Sequence, residues 1–245
     1  MEDLKAFQCS SLAIREAVNY YRWLYNDFKD YIGDSILEIG GGIGNFSNLL
    51  SDRKRLVIVD IVEEVVQRLD NIFEDKANVS VFKADICDKG FVDSVIKNGF
   101  DTIICVNVLE HIADDIGALK NMRELLSTRG GHLLLLVPAH EILFSDLDRV
   151  VGHHRRYNKK PLRQKLEQAG FSINKLYYLN CLGAIGWFIN YKILKYKEVV
   201  CQSTDRQIKI FDRFLVPLVS RMESILKPPF GISLIAVCDT KPYTK

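Results

Sequence analysis

Apolar positions recur along this chain with two periods, and the alternation between them predicts the architecture. Short apolar runs fall at 35–40, 55–60, 79–83, 101–107, 131–138, 171–180 and 231–238. Runs of this length, rich in Val, Ile and Leu and bounded by glycine or polar residues, read as buried strands. Between them apolar residues take helical spacing over 44–51, 62–73, 90–97, 114–127 and 159–169. A further helix is predicted over 11–32, with Leu12, Ile14, Ala17, Tyr20, Tyr21, Leu24 and Phe28 at helical spacing and Gly33-Asp34 ending it. The pattern implies an α/β fold: a Rossmann-like, doubly wound, seven-stranded and mostly parallel sheet with helices on both faces, its last strand antiparallel. Ligands bind such a sheet at the carboxyl ends of its strands, near the point where strand order reverses.

The last two predicted strands are separated by a long helical insertion, 181–229. One helical pattern covers Leu182 to Lys197. A second carries Ile210, Phe211, Phe214, Leu215, Leu218, Val219, Met222, Ile225 and Leu226 on one face, with Pro217 expected to kink it and Pro228-Pro229 to stop it. The chain therefore reads as a single domain over 1–245: a helical cap at 1–33, a core at 34–180 and 230–245, and the insertion as a lid. The apolar face of the insertion is expected to pack on the body of the domain. Contact with a membrane surface or a second subunit is the other use of such a stripe.

Bulk properties narrow the class. The chain has 245 residues, 48% of them hydrophobic, and a net charge of +2, which gives no overall case for a nucleic-acid partner. Cys9, Cys87, Cys105, Cys181, Cys201 and Cys238 are scattered with no Cys-x-x-Cys, as expected of reduced thiols in a cytoplasmic protein. No signal-peptide pattern opens the chain, and the longest apolar run, Cys181 to Ile189, is too short to span a bilayer.

The richest chemistry lies at Ile36-Leu37-Glu38-Ile39-Gly40-Gly41-Gly42-Ile43-Gly44-Asn45, a buried strand entering a glycine-rich turn. Asp60 closes the next apolar run. Glycines admit a ligand close to the backbone, and a carboxylate at the tip of the second strand can accept two ribose hydroxyls. The dinucleotide fingerprint fails, because its sixth position is Asn45 rather than glycine, and no Gly-Lys-Ser/Thr follows to make a phosphate loop. The run Glu38-x-Gly40-x-Gly42-x-Gly44 instead resembles the first motif of the class I methyltransferases that use S-adenosylmethionine, and the resemblance extends over 34–138.

That resemblance implies a set of donor-binding residues. Gly40, Gly41, Gly42 and Gly44 would pass under the methionine portion, with Glu38 orienting the loop. Asp60 would take the ribose and Ile61 would flank the adenine. Asp85 would lie near the adenine amino group, with Ile86 beside it. Asn107 and Val108 would meet the donor's ammonium end, and His111 would pack close by. Tyr20 or Trp23, ahead of the first strand, would cover the sulfonium, which gains from an aromatic face. The product would be S-adenosylhomocysteine. Some related quinone-pathway enzymes hold a metal with Glu-x-x-Glu-His at the position of Asn107 to His111. Here Asn107 replaces the first glutamate, and Asp146, Asp148, His153 and His154 match no standard spacing, so no metal is expected.

The acceptor should meet the loop after the fifth strand, where His140, Phe144 and the run Gly152-His153-His154-Arg155-Arg156-Tyr157 fall. This run resembles a subgroup of methyltransferases linked to glycosyltransferases and cell-surface glycan synthesis. His153, His154 and His140 are the candidate bases. Arg155, Arg156, Tyr157 and Phe144 are the candidate acceptor contacts, although both arginines could instead pair with Glu141, Asp146 or Asp148. The expected reaction is methyl transfer to a small-molecule or lipid-linked acceptor, with a sugar or glycolipid hydroxyl first, a small amine second, and a donor-binding protein without catalysis as the non-enzymatic rival. A nucleic-acid methyltransferase is disfavoured by the lack of an Asn/Asp-Pro-Pro-Tyr/Phe block after the fourth strand.

Overall fold

Seven strands form one sheet in the order β3-β2-β1-β4-β5-β7-β6. The computed structural model of the chain describes residues 17–95, 99–126, 130–193 and 209–240. The strands are β1 (Ser35–Ile39), β2 (Arg55–Asp60), β3 (Val79–Lys83), β4 (Thr102–Val106), β5 (His132–Pro138), β6 (Phe171–Leu179) and β7 (Ser233–Thr240). Pairings among β1 to β5 are parallel, and β7 runs antiparallel between β5 and β6. Strand order reverses between β1 and β4, so the loops leaving those two strands border one crevice.

The helices, in chain order, are α1 (Val18–Phe28), α2 (Ser47–Leu50), α3 (Glu63–Ile72), α4 (Lys89–Val95), α5 (Asp115–Leu125), α6 (Asp146–Val150), α7 (Lys159–Gln168), α8 (Cys181–Trp187) and α9 (Val216–Ile225). Alternate residues of each central strand enter opposite cores. Leu37, Ile39, Val57 and Val59 pack with Ala118, Met122 and Leu162 from α5 and α7. Ile36, Leu56 and Ile58 pack with Trp23, Leu24 and Phe28 from α1 and with Val216 and Val219 from α9. Both sheet faces are thus covered, which is why the strands read as unbroken apolar runs. At the far end of the sheet, Asp101 accepts from the amides of Asp34 and Ser35 and pins β1 beside β4.

Several boundaries move for identifiable reasons. The helix expected over 44–51 shrinks to α2, because Gly44 takes a left-handed φ of 86° and belongs to the turn. The last strand starts at Ser233, two residues late. A Cβ on Gly231 would come within 2.3 Å of the Leu179 carbonyl oxygen, so this residue crosses tightly over the end of β6. Pro217 lies in the first turn of α9, where a missing N–H costs little, and the irregularity falls just ahead of it in a π-helical stretch, Phe211–Leu215. The pattern over 182–197 becomes α8 followed by a π-helical stretch, Phe188–Ile193. Residues 11–16, 96–97, 127 and 194–197 of the predicted helices, with Cys9 and Cys201, lie outside the described residues. The expectation that the insertion turns its apolar face inward is overturned: Val216 and Val219 are buried, but Phe214, Leu218, Met222 and Ile225 face solvent.

Candidate functional site

Gly40, Gly42 and Gly44 adopt φ values of 77°, 53° and 86°, a region that disfavours any residue with a side chain. A Cβ on Gly40 would collide with Val108, and one on Gly41 with Ile58 and Leu69. Gly42 is different. Nothing lies within 4 Å of where its Cβ would be, so the backbone there borders open space. Across the turn Asp60 accepts from the Gly42 amide at 3.2 Å and the Val62 amide at 3.0 Å, which fixes its carboxylate beside the loop. Ile61, next to it, is 65% exposed at the mouth of the crevice. Asn107 follows β4 in a left-handed conformation, and Val108 packs against the core beside Gly40. Asp85 is exposed and accepts from the Cys87 amide, while the Ile86 side chain is buried and its carbonyl is held by Asn121. Of the two covering aromatics, Trp23 is buried in the core. Tyr20 is only partly buried, its hydroxyl 3.3 Å from Ser233 Oγ at the carboxyl end of β5.

Glu38 is buried on the face it shares with Ile36 and Ile58. Burial pushes its carboxyl up to about 8; the neighbouring Ser47 hydroxyl pulls the other way without a hydrogen bond of normal geometry, and Asp60 adds to the rise. The unfolded chain ionises Glu38 near the ordinary carboxylate value, so the folded state holds the extra proton between that value and about 8. Stability therefore falls as pH rises through this window and levels off above it. Glu38→Gln is expected to leave the melting temperature at pH 5 near wild type and to raise stability at pH 9 on the order of 2 kcal/mol. Thermal unfolding at the two pH values checks this, and equal shifts at both would contradict it.

On the other side of the crevice one buried carboxylate organises the loop after β5. Asp148, fully buried, accepts from the Ser145 amide and hydroxyl, from Arg156 Nε at 2.8 Å, and pairs with His153 Nδ1 at 2.8 Å. Burial opposes its ionisation, but the His153 and Ser145 hydrogen bonds and the Arg156 charge outweigh that and hold its pKa below the usual carboxylate range. Arg156 stacks on Trp187 and is itself buried. Arg155 pairs with Asp115, as do Lys165 and the hydroxyl of Tyr157, a buried residue. The two arginines thus brace the loop, and only Arg155 keeps partial exposure. With Nδ1 engaged by Asp148, His153 turns Nε2 toward Glu110, 3.8 Å away. Glu110 is fully buried, and neither carboxylate oxygen has a hydrogen-bond partner among the described residues. Ligand atoms of Glu110, His111 and His153 lie within 4.8 Å of one another. His154 is exposed, its amide bonded to the Glu110 carbonyl. His140, at a left-handed φ of 60°, stacks on Tyr178, and burial followed by the charges of Arg156 and Lys159 lowers its pKa, so it is neutral at pH 7. The carbonyl of Phe144 accepts from Lys192 and that of Leu143 from Trp187, so the insertion is tied to the acceptor loop.

Compared with known proteins, residues 19–176 match the model of the methyltransferase domain family. That span takes in the glycine turn, Asp60, Asp85, the loop after β4 and the loop after β5. The chain belongs to this family.

As a methyltransferase it uses S-adenosylmethionine as donor. An uncharacterized protein of Methanocaldococcus jannaschii is 28% identical over 199 residues, covering 78% of this chain and 79% of the relative. The juvenile hormone acid O-methyltransferase of Bombyx mori is 29% identical over 155 residues, covering 61% of this methyltransferase and 54% of its own length, so the chain spans about half of that enzyme. Among solved structures, the N-methyltransferase NodS of Bradyrhizobium japonicum, in complex with S-adenosylhomocysteine, shares the fold at a TM-score of 0.54 and 16% identity, covering 89% of this chain and 84% of that one. The donor fits the residues present, since the space beside Gly42 is open and the Asp60 carboxylate faces it. Sequence reasoning gave Glu110 no role of its own beyond its place in the stretch from Asn107 to His111, and missed Asp115 altogether. A depression lined by Tyr31, Asp101, His132 and Asp239 lies at the amino ends of the parallel strands, away from this chemistry.

Proposed function

We propose that this methyltransferase O-methylates a hydroxyl on a lipid-linked or glycolipid-type acceptor at the cytoplasmic side of a membrane. The observation that carries the reading is the tie between the acceptor loop and the apolar insertion, through Trp187 to Leu143 and Lys192 to Phe144. The acceptor loop is thereby joined to the segment that carries the exposed Ile185, Phe188 and Ile189.

S-adenosylmethionine supplies an electrophilic methyl group on a sulfonium when bound. The chain's own residues do the rest. Backbone around Gly42 admits the donor, Asp60 accepts its ribose hydroxyls, and Tyr20 offers an aromatic face to positive charge. His153 Nε2 removes the acceptor's hydroxyl proton as the new carbon–oxygen bond forms. Asp148 fixes the required tautomer by accepting from Nδ1, and its carboxylate stabilises the imidazolium that results. Arg155, still partly exposed, is the cation available to an acidic acceptor group.

Calorimetric titration with S-adenosylmethionine, S-adenosylhomocysteine and NAD in parallel tests the donor assignment. The two adenosyl ligands are expected to bind and NAD is not; binding of NAD alone would sink the reading. Asp60→Ala is expected to weaken donor binding by about 1–3 kcal/mol, and unchanged affinity would put the ribose elsewhere. An acceptor screen with glycan and glycolipid hydroxyls, scored by methyl incorporation, tests the rest: transfer to amines in preference to hydroxyls overturns the O-methylation.

A further inference from the structure

We propose that the segment around α9 docks this protein on an anionic lipid bilayer, lying on the surface with its outer face in the headgroup region. The proposal rests on the lipid-linked reading of the acceptor and gives that reading a physical route. Among the described residues, twelve of the eighteen large apolar side chains left exposed fall between Ile185 and Phe230.

The helix ending at Ile225 is inside out. Its inner stripe, Asp212, Val216, Val219 and Glu223, carries both acidic residues of 209–227, and all four are buried. Each acid serves a helix start. Asp212 accepts from the amides of Asn19 and Tyr20 at the head of α1, and Glu223 from those of Asn180 and Cys181 at the head of α8. Helix amino termini favour such anions. The outer stripe, Phe214, Leu218, Met222 and Ile225, is 64%, 64%, 43% and 83% exposed. Around it the exposed charged residues of 209–230 are Lys209, Arg213, Arg221 and Lys227, all basic.

An apolar stripe flanked only by cations is the pattern of a helix resting at an anionic membrane interface. A second copy of this chain fits less well, because pairing the face with itself would set Arg213, Arg221 and Lys227 against one another with no exposed acid among residues 209–230 to answer them. None of the helices among the described residues is long and apolar enough to cross a membrane, so the contact is with the surface. The bilayer would then lie beside the acceptor loop to which the insertion is tied, where a lipid-linked hydroxyl could enter without leaving its leaflet.

Sedimentation with vesicles tests this. The full chain is expected to pellet with vesicles of equal parts phosphatidylcholine and phosphatidylglycerol, to bind pure phosphatidylcholine at least tenfold more weakly, and to be released by high salt. The double variant Leu218→Asp, Ile225→Asp, altered only on the outer face, is expected to lose at least tenfold in binding while keeping donor affinity by calorimetry. Protein that stays in solution with anionic vesicles, or a double variant that pellets like wild type, overturns the proposal. So does equal binding to both vesicle types, or a wild-type dimer that the double variant dissolves without any vesicle binding. Wild-type protein that binds the adenosyl ligands but not anionic vesicles removes the docking alone, whereas wild-type protein that docks but binds no adenosyl ligand removes the enzymatic reading instead.

Discussion

Asp148→Ala is expected to lower folding stability by about 3–5 kcal/mol, the scale of breaking a buried ion pair by removing one partner. In a chain of this size that shifts the thermal midpoint by roughly 10 °C. The carboxylate is fully buried and the Arg156 side chain is 2% exposed, so the variant strands a guanidinium away from water beside Trp187. It also removes the acceptor for the Ser145 amide and hydroxyl, which cap α6. Asp146→Ala is the control. Asp146 pairs with Arg149 in solvent, and such a pair contributes under about 1 kcal/mol. If the two variants melt together, Asp148 does not hold the loop.

His153→Ala is expected to cut turnover on the wild type's best hydroxyl acceptor by about 10²–10⁴-fold, the usual contribution of a positioned general base. Donor affinity is expected to change far less than turnover: His153 meets the donor side through His111, whose ring packs edge-on at 4.6 Å and keeps its own backbone anchors in the variant. His154→Ala should behave as wild type, since that side chain is exposed and only its amide is anchored, on Glu110. The contrast between adjacent histidines separates chemistry from loop damage. Normal turnover in His153→Ala would remove it from the reaction and leave His140, neutral and stacked on Tyr178, as the next base to test.

The donor half of the site was legible because its signals are local. A glycine run after a buried strand, and an aspartate closing the next strand, state their conformations within a few residues of sequence. The acceptor half was not, because its organising contacts join distant positions. Asp115 meets Tyr157 and Lys165, and the two parties are separated by α5, β5, α6 and the loops between them. Glu110 looks like any glutamate until the loop after β5 folds over it. One signal was available and unread: Ser145 and Asp148 have the spacing of a capping box, and the structure forms one. The insertion shows the complementary failure. Periodicity found an apolar face but carries no sign, and the inner face was decided by two acids whose partners are amide groups elsewhere in the chain.

The insertion leaves the sheet at Leu179 and returns at Ser233, two residues that sit side by side as register partners on neighbouring strands. Asn180 and Ile232, one step further out, are joined by a backbone hydrogen bond. Everything between is therefore a closed excursion whose two feet are fixed on a single rung, and it lies beyond residue 176, where the family match stops. Its outer face can change without disturbing that rung, whereas its inner stripe cannot, because Val216 and Val219 pack with Ile36 and Ile58 and Asp212 holds the head of α1. On the docking proposed above, a lineage would revise its acceptor by rewriting one outward face of the chain while the buried text beneath it stands.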